Sequence, residues 1–240
     1  MSAERPKVYL LDVEGTVAPS TLTSEVLFPY ARAHFEQFLK THNADVDVAN
    51  DLALLALENM REVESDAPRI ASESPAAIPH TLKYIYWLMD RDRKSTALKS
   101  LQGKIWKSGF ESGELKGTLF PDVPEAFARW SQSARVAIYS SGSVEAQKLL
   151  FRYSNFGDLT SLISGYFDTR TGAKRESPSY AAIAKAMKVA PSEILFFSDI
   201  VAELDAARKA GCGTRLVFRP GNTAVADAHG HPLVESFANL

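Results

Sequence analysis

Short unbroken apolar runs alternate along this chain with stretches in which apolar residues recur every three or four positions. Val8-Tyr9-Leu10-Leu11 opens the series. Such a run reads as a strand buried on both faces, as in a parallel sheet. Arg135-Val136-Ala137-Ile138-Tyr139 and Ile194-Leu195-Phe196-Phe197 repeat it, with a short strand at 163–167 and a last one at 215–218. Helical spacing fills the gaps. Pro121-Asp122-Val123-Pro124-Glu125 predicts a helix start capped by Asp122, with Glu125 completing a capping box and an end near residue 131. Ser143 caps a helix over 144–152. Ser177 and Pro178 open one reaching residue 187, with proline at the favoured first position. A further helix spans 201–210.

Between the first strand and residue 119 the pattern is helical throughout. A helix over 24–40 carries Val26, Leu27, Tyr30, His34, Phe35 and Phe38, with Pro29 bending or delaying its start. A second, over 47–63, carries Val48, Leu52, Leu55 and Met60. Two more are expected at 81–92 and 95–107, with Ile85, Leu88, Leu98, Leu101 and Ile105 on their apolar faces. Residues 64–79, rich in proline and serine, read as a loop. Alternating apolar strands and helices predict an α/β fold: a doubly wound, Rossmann-like parallel sheet. Its core is 1–19 and 119–240, and residues 20–118 form an α-helical cap inserted after the first strand. Pro19, Gly113 and Gly117 are the expected hinges of a cap that closes over the core rim.

Candidate chemistry gathers where the predicted strands end. The first run stops at Asp12-Val13-Glu14-Gly15-Thr16. A carboxylate at the carboxyl end of a buried parallel strand lies where open α/β sheets place their ligands. Two apart on extended backbone, Asp12 and Glu14 point to the same side. The second strand ends in Ser140-Ser141-Gly142-Ser143, a hydroxyl followed by a helix amino end that suits an anion. Lys174 stands in a polar loop ahead of a helix, and Ser198-Asp199 closes the third buried strand, with Glu203 a helical turn later. Each has a plain structural alternative: solvated turn acids, an ordinary cap, a solvated lysine beside Arg175, a capping aspartate. Their shared order and placement favour function.

The chemistry follows from the residue types. An aspartate can take a phosphoryl group from an ester, splitting hydrolysis into two steps through an aspartyl phosphate. Both reactants are anionic, so the site calls for Mg²⁺, which prefers oxygen ligands and binds through one or two carboxylates plus phosphate. Asp12 and Asp199 can share that ion. Lys174 supplies a point charge, Ser140 and nearby N–H groups hold phosphate oxygens, and Glu14 serves as acid and base.

Composition narrows the class. The 240 residues are 45% hydrophobic, enough for one large domain or a domain with a sizeable insertion. A net charge of −2 gives no reason to expect nucleic acid or an anionic membrane as partner. Cys212 is the one cysteine, so no intramolecular disulfide can form. With no apolar run approaching a membrane span and no signal peptide in view, the expectation is a soluble cytoplasmic protein, with the nucleus open in a eukaryote. A monomer acting on a small molecule is expected.

The four signals resemble the motifs of the haloacid dehalogenase superfamily of phosphohydrolases. That superfamily usually has Asp-x-Asp where this chain has Asp12-x-Glu14, and the Asp-x-Glu-Gly-Thr form resembles the enolase-phosphatase family of methionine salvage. Leu27-Phe28-Pro29-Tyr30, Asp92-Arg93-Lys94-Ser95-Thr96-Ala97-Leu98-Lys99 with Leu101-Gln102-Gly103 and Trp106, Tyr139 to Phe151, Phe167-Asp168-Thr169 and Arg219-Pro220-Gly221-Asn222 are similar to it too. The resemblance runs from about residue 7 to the carboxyl terminus and is loose over 43–79. It implies a bifunctional Mg²⁺ enzyme that enolises and then dephosphorylates 2,3-diketo-5-methylthiopentyl-1-phosphate. It also implies Asp12, Glu14 and Asp199 for the metal, Glu14 through its backbone carbonyl, and Ser140, Ser141 and Lys174 for the substrate. The rivals are a simple phosphomonoesterase for another small ester and a phosphate- or metal-binding module without turnover. The joint presence of Asp12, Lys174 and Asp199 argues against the latter.

Overall fold

The computed structural model describes residues 5–70 and 78–240. Residues 1–4, and residues 71–77 of the predicted 64–79 loop, lie outside the described residues. Strand β1 (Val8–Leu11) is followed by helices α1 (Phe28–His42), α2 (Val46–Met60), α3 (Ile78–Asp90) and α4 (Thr96–Ser112). Then come α5 (Val123–Trp130), β2 (Arg135–Tyr139), α6 (Val144–Arg152), β3 (Ile163–Phe167), α7 (Ser177–Met187), β4 (Ile194–Ser198), α8 (Val201–Lys209), β5 (Gly213–Val217) and β6 (Leu233–Val234). The chain forms two compact units, Met1–Thr23 with Gly113–Leu240, and Ser24–Ser112.

In the first unit the six strands run in the order β3-β2-β1-β4-β5-β6, every pairing parallel. From β1 the chain steps outward through β2 and β3 on one side and through β4 to β6 on the other. The topological switch point therefore lies between β1 and β4, where such sheets open a crevice at the strands' carboxyl ends. Both faces of β1 are apolar because both are covered. Val8 and Leu10 join Ala137, Tyr139, Phe196, Tyr180 and Leu204 in one core cluster. From the opposite face, Tyr9 stacks on Trp130 with ring centroids 4.4 Å apart, and Trp130 lies against Phe197 at 5.6 Å. Each large side chain fully buried this way contributes roughly 1.5–3 kcal/mol.

Two expectations in this unit need correction. Asp122 precedes α5 but makes no side-chain cap bond. Its Oδ2 instead accepts from Arg219 Nη1 at 2.8 Å, from the Ser236 hydroxyl at 2.9 Å and from the Phe237 amide at 2.7 Å. A buried guanidinium outbids a helix end for this carboxylate. Gly117 is no hinge: its N–H bonds the Tyr153 carbonyl at 2.9 Å, its carbonyl accepts from Asn155 at 2.9 Å, and a Cβ there would strike Leu150. The two-residue strand β6 carries too short an apolar run to be read in advance.

Leu22–Leu27, at the start of the helical stretch, winds as a wider π-helical segment before α1 begins, with Pro29 in the first α turn. Pro29 has no N–H for the preceding turn, so the α pattern cannot start earlier. The buried face of α1 is Ala31, Phe35 and Leu39, with Val26 exposed. On α2, Met60 is exposed and Asn59 is buried instead. Asn59 organises the following turn: Nδ2 donates to the Pro68 carbonyl at 2.8 Å, and Oδ1 accepts from the Ile70 amide at 2.9 Å. Trp106 donates to the Leu27 carbonyl at 2.8 Å, and Gly109 leaves room for the Tyr30 ring.

Candidate active site at the carboxyl ends of β1 and β4

Leu11 pairs with Ile138 on β2 and Phe197 on β4. The next residue of each strand, Asp12, Tyr139 or Ser198, therefore stands at one level of the sheet rim. The Asp12 N–H continues the ladder to the Phe197 carbonyl at 2.9 Å, while its carboxylate turns to the Val13 N–H, 2.7 Å from Oδ1. Asp12 is buried.

Lys174 meets it there. The Lys174 Nζ lies 2.7 Å from Asp12 Oδ1 and 2.6 Å from Glu203 Oε2. With 7% exposure Lys174 is not a solvated lysine, whereas its neighbour Arg175 is exposed. Burial works against the ammonium charge, but Asp12 and Glu203 outweigh it and hold the Lys174 pKa above its ordinary value. The loop that carries Lys174 is fixed at three successive carbonyls. Tyr139 Oη donates to Gly172 at 2.9 Å, Ser179 Oγ to Ala173 at 2.7 Å and Tyr180 Oη to Lys174 at 2.7 Å. Their sequence signal is slight, since aromatic and small residues on apolar elements read as core.

Glu203, a helical turn after Asp199, reaches Lys174. The Ser198 hydroxyl donates to Glu203 Oε2 at 3.0 Å, with Asp12 Oδ2 3.4 Å away. Burial, then the charge of Asp12, pushes the Glu203 carboxyl upward. Asp199 makes no helix cap: Ile200 holds that position without a side-chain bond. Burial and the neighbouring charge of Asp12 push the Asp199 pKa up to about 7.

Val13 to Ala18 is a tight turn in which the Val13 carbonyl accepts from Thr16, Val17 and Ala18. Gly15 has φ +70°, and a Cβ on it would collide with the Asp199 carboxylate. Only glycine combines that dihedral with so close an approach. Glu14 Oε1 accepts from the Thr23 N–H at 2.8 Å, and burial raises its pKa. Ser140 is half-buried on the turn after β2, its Oγ accepting from the Gly142 N–H at 3.2 Å. Ser141 follows on the exposed side of that turn. Ser143 caps α6 as expected, accepting from Ala146 at 3.2 Å, and Asp168 Oδ2 accepts from the Val144 N–H at 3.3 Å.

The sequence matches the model of the haloacid dehalogenase-like hydrolase family over residues 6–211. Enolase-phosphatase E1 of Synechococcus elongatus is 56% identical over 218 residues, 90% of each chain. Enolase-phosphatase E1 of Leptospira borgpetersenii is 47% identical over 236 residues, 98% of each. The chain belongs to the enolase-phosphatase family of haloacid dehalogenase-like hydrolases. Membership makes it a phosphatase, and haloacid dehalogenase-like hydrolases generally use Mg²⁺. Among solved structures, the UTR4 protein of Saccharomyces cerevisiae matches with a TM-score of 0.82 at 37% identity, over 98% of this chain and 100% of that one. CbbY of Rhodobacter sphaeroides in complex with phosphate, at 20% identity and a TM-score of 0.56 over 98% of this chain and 96% of that one, shares the fold alone.

The rim fits a hard divalent cation by its chemistry. Among the described residues no three His, Cys, Asp or Glu side chains cluster as a metal site. Mg²⁺ needs no such cage, since one or two carboxylates with water and phosphate oxygens suffice. The Asp12 and Asp199 carboxylates at the strand ends are oxygen donors of the kind such an ion takes.

Proposed function

We propose that the chain is the bifunctional Mg²⁺-dependent enolase-phosphatase of methionine salvage, converting 2,3-diketo-5-methylthiopentyl-1-phosphate to 1,2-dihydroxy-3-keto-5-methylthiopentene and phosphate. The observation that carries this reading is the buried Lys174 ammonium clasped between Asp12 and Glu203 at the strand ends. An ammonium so placed opposes negative charge on a phosphate and on a developing enolate alike. Asp12 is the nucleophile: its carboxylate bonds to phosphorus, the ester P–O bond breaks, and Glu14 protonates the leaving oxygen. Water then attacks the aspartyl phosphate while Glu14 takes the proton back. Burial raises the Glu14 pKa, the direction that favours proton donation to the leaving oxygen. Ser140, Ser141 and the turn N–H groups before α6 hold phosphate oxygens.

Asp12, Asp199 and the Glu14 backbone carbonyl would hold Mg²⁺, which when bound neutralises charge on the phosphate and the enolate. The proposed enzyme is a cytoplasmic monomer acting on a small phosphorylated diketone; no helix among the described residues is long and apolar enough to cross a membrane.

The test is turnover of the diketo phosphate with Mg²⁺, followed by the ultraviolet absorbance of the enediol and by released phosphate. Both signals should rise together. Hydrolysis of p-nitrophenyl phosphate without action on the diketo phosphate would leave a simple phosphomonoesterase, and turnover of neither would leave a binding module.

A further inference from the structure

The Arg219-Pro220-Gly221-Asn222 segment lies far along the chain from Asp12, and the chemistry above makes no use of it. Its local structure is a tight turn after β5. The Asn222 N–H bonds the Arg219 carbonyl at 3.0 Å, and Gly221 has φ +91°. Proline at the second position and glycine with positive φ at the third is the pattern of a type II turn. That turn directs its two flanking side chains at one target. Arg219 Nε donates to the Thr16 carbonyl at 3.0 Å, and Asn222 Nδ2 donates to the Gly15 carbonyl at 2.8 Å. The Ser20 hydroxyl donates back to the Gly221 carbonyl at 3.2 Å.

Arg219 is in turn held firmly. It is buried, its Nη1 contacts Asp122 Oδ2 at 2.8 Å and the Glu235 carbonyl at 3.1 Å, and its guanidinium lies over Phe120 and Phe237. A rigid fork thus grips the backbone of the turn that joins Asp12 and Glu14 to the rest of the chain. The gripped residue Gly15 is also the one whose missing Cβ lets the Asp199 carboxylate approach. Movement of this turn by a few tenths of an ångström changes the spacing between the carboxylates of β1 and β4.

We propose that Arg219 and Asn222 are positioning residues, which set the distance between the Asp12–Glu14 turn and Asp199 through the Gly15 and Thr16 carbonyls. The proposal rests on the reading of Asp12 and Asp199 as the metal-holding pair. Its main test is Asn222→Ala, at a half-buried loop position where folding should survive. Mg²⁺ binding, titrated calorimetrically without substrate, should weaken about tenfold, within the range usual for residues that orient metal ligands. With p-nitrophenyl phosphate at saturating Mg²⁺, kcat should fall while KM stays within about twofold, since no phosphate-holding group is touched. Arg219→Lys should shift both readouts the same way.

Arg129→Ala is the control. Arg129 ties the carboxyl-terminal segment through the Phe237 and Leu240 carbonyls and makes no bond to the Gly15 turn. It should lower the melting temperature and leave Mg²⁺ affinity unchanged. If Asn222→Ala and Arg219→Lys only lower the melting temperature, as Arg129→Ala does, the clamp is structural and the proposal is overturned. Failure of the underlying reading looks different, because Asp12→Asn and Asp199→Ala would then also bind Mg²⁺ normally.

Discussion

Charge is held differently on the surface of the helical unit and at the rim of the sheet unit. On the helical surface, Lys40 and Glu36 meet at 2.6 Å one helical turn apart, and Arg32 and Asp90 meet at 2.7 Å, all four side chains well exposed, while Lys104 and Asp51 form a partly buried pair in the same unit. In the sheet unit, Asp12, Lys174 and Glu203 meet with a tenth or less of each side chain exposed. Exposed pairs contribute roughly 0–1 kcal/mol. Burying a charge costs several kcal/mol, and the mutual attraction of a buried pair often fails to recover it. The rim triad is therefore weak evidence for stability and strong evidence for chemistry. Two acids around one ammonium leave a net negative centre, with the carboxylate of Asp199 close by. Such a centre suits cations and a phosphoryl group that arrives with them.

The largest expected effect lies at Asp12, the proposed nucleophile. Asp12→Asn keeps the shape and removes the anion, so dephosphorylation should fall by several orders of magnitude while the protein stays folded. Near wild-type turnover of p-nitrophenyl phosphate by that variant would end the assignment. Lys174→Met comes next and acts on both sides of the contrast. It should abolish turnover and, by leaving two buried acids unpaired, destabilise the fold by about 3–5 kcal/mol. Adding Glu203→Gln should restore part of the stability and none of the activity. Denaturant titration of the single and double variants measures the coupling, and additive losses would show that Lys174 and Glu203 do not act together.

The same contrast explains what could be read from the chain and what could not. Strands β1, β2 and β4 were legible because burial on both faces leaves a nearly unbroken apolar run, and the switch point made their ends suspect. Ser143 was legible because a cap acts within one turn. The contact between Glu203 and Lys174 could not be read, because Lys174 lies on another loop. Asp122 went astray for the same reason: a local cap signal lost to Arg219, 97 residues on. The hydroxyls of Tyr139 and Tyr180 leave no pattern, since their rings alone account for their positions in the core. In the helical unit, Val48 and Leu55 are buried as expected, and only the last turn of α2 differs, Asn59 taking the inward place of Met60 because its side-chain amide satisfies the following turn.

A smaller effect is expected at His231, a buried group that belongs to neither class. Its Nδ1 and the Thr214 hydroxyl are 2.7 Å apart, and its Nε2 lies 3.1 Å from Asp205 Oδ1. Arg208 and His229 also contact Asp205. Burial, helped by Arg208 and His229, outweighs Asp205 and lowers the His231 pKa below 6.5. Above pH 6.5 the ring is neutral in both folded and unfolded chains. Below it the unfolded chain takes up a proton that the folded chain resists, so stability falls as pH drops, by at most about 1.4 kcal/mol per unit. Replacing it by glutamine, His231→Gln, should flatten the melting temperature between pH 6.5 and 5. Parallel curves for the two proteins would place the acid sensitivity elsewhere.

The smallest effect belongs to the helical unit's surface. Glu36 precedes Lys40 by one turn, the favourable order for such a pair, and the gain expected is about 0.3–0.5 kcal/mol. Lys40→Met removes the charge and keeps helix propensity and most of the side chain's length. Its unfolding free energy should differ from wild type by no more than that amount. The difference should shrink further in 1 M salt, where the screening length is about 3 Å. Turnover should be unchanged. The salt response carries the decision, because an exposed pair must fade with screening while the buried triad around Lys174 must not. A Lys40→Met variant destabilised by several kcal/mol, independent of salt, would show that charge in the helical unit is held as tightly as at the rim, and the contrast between the two units would collapse.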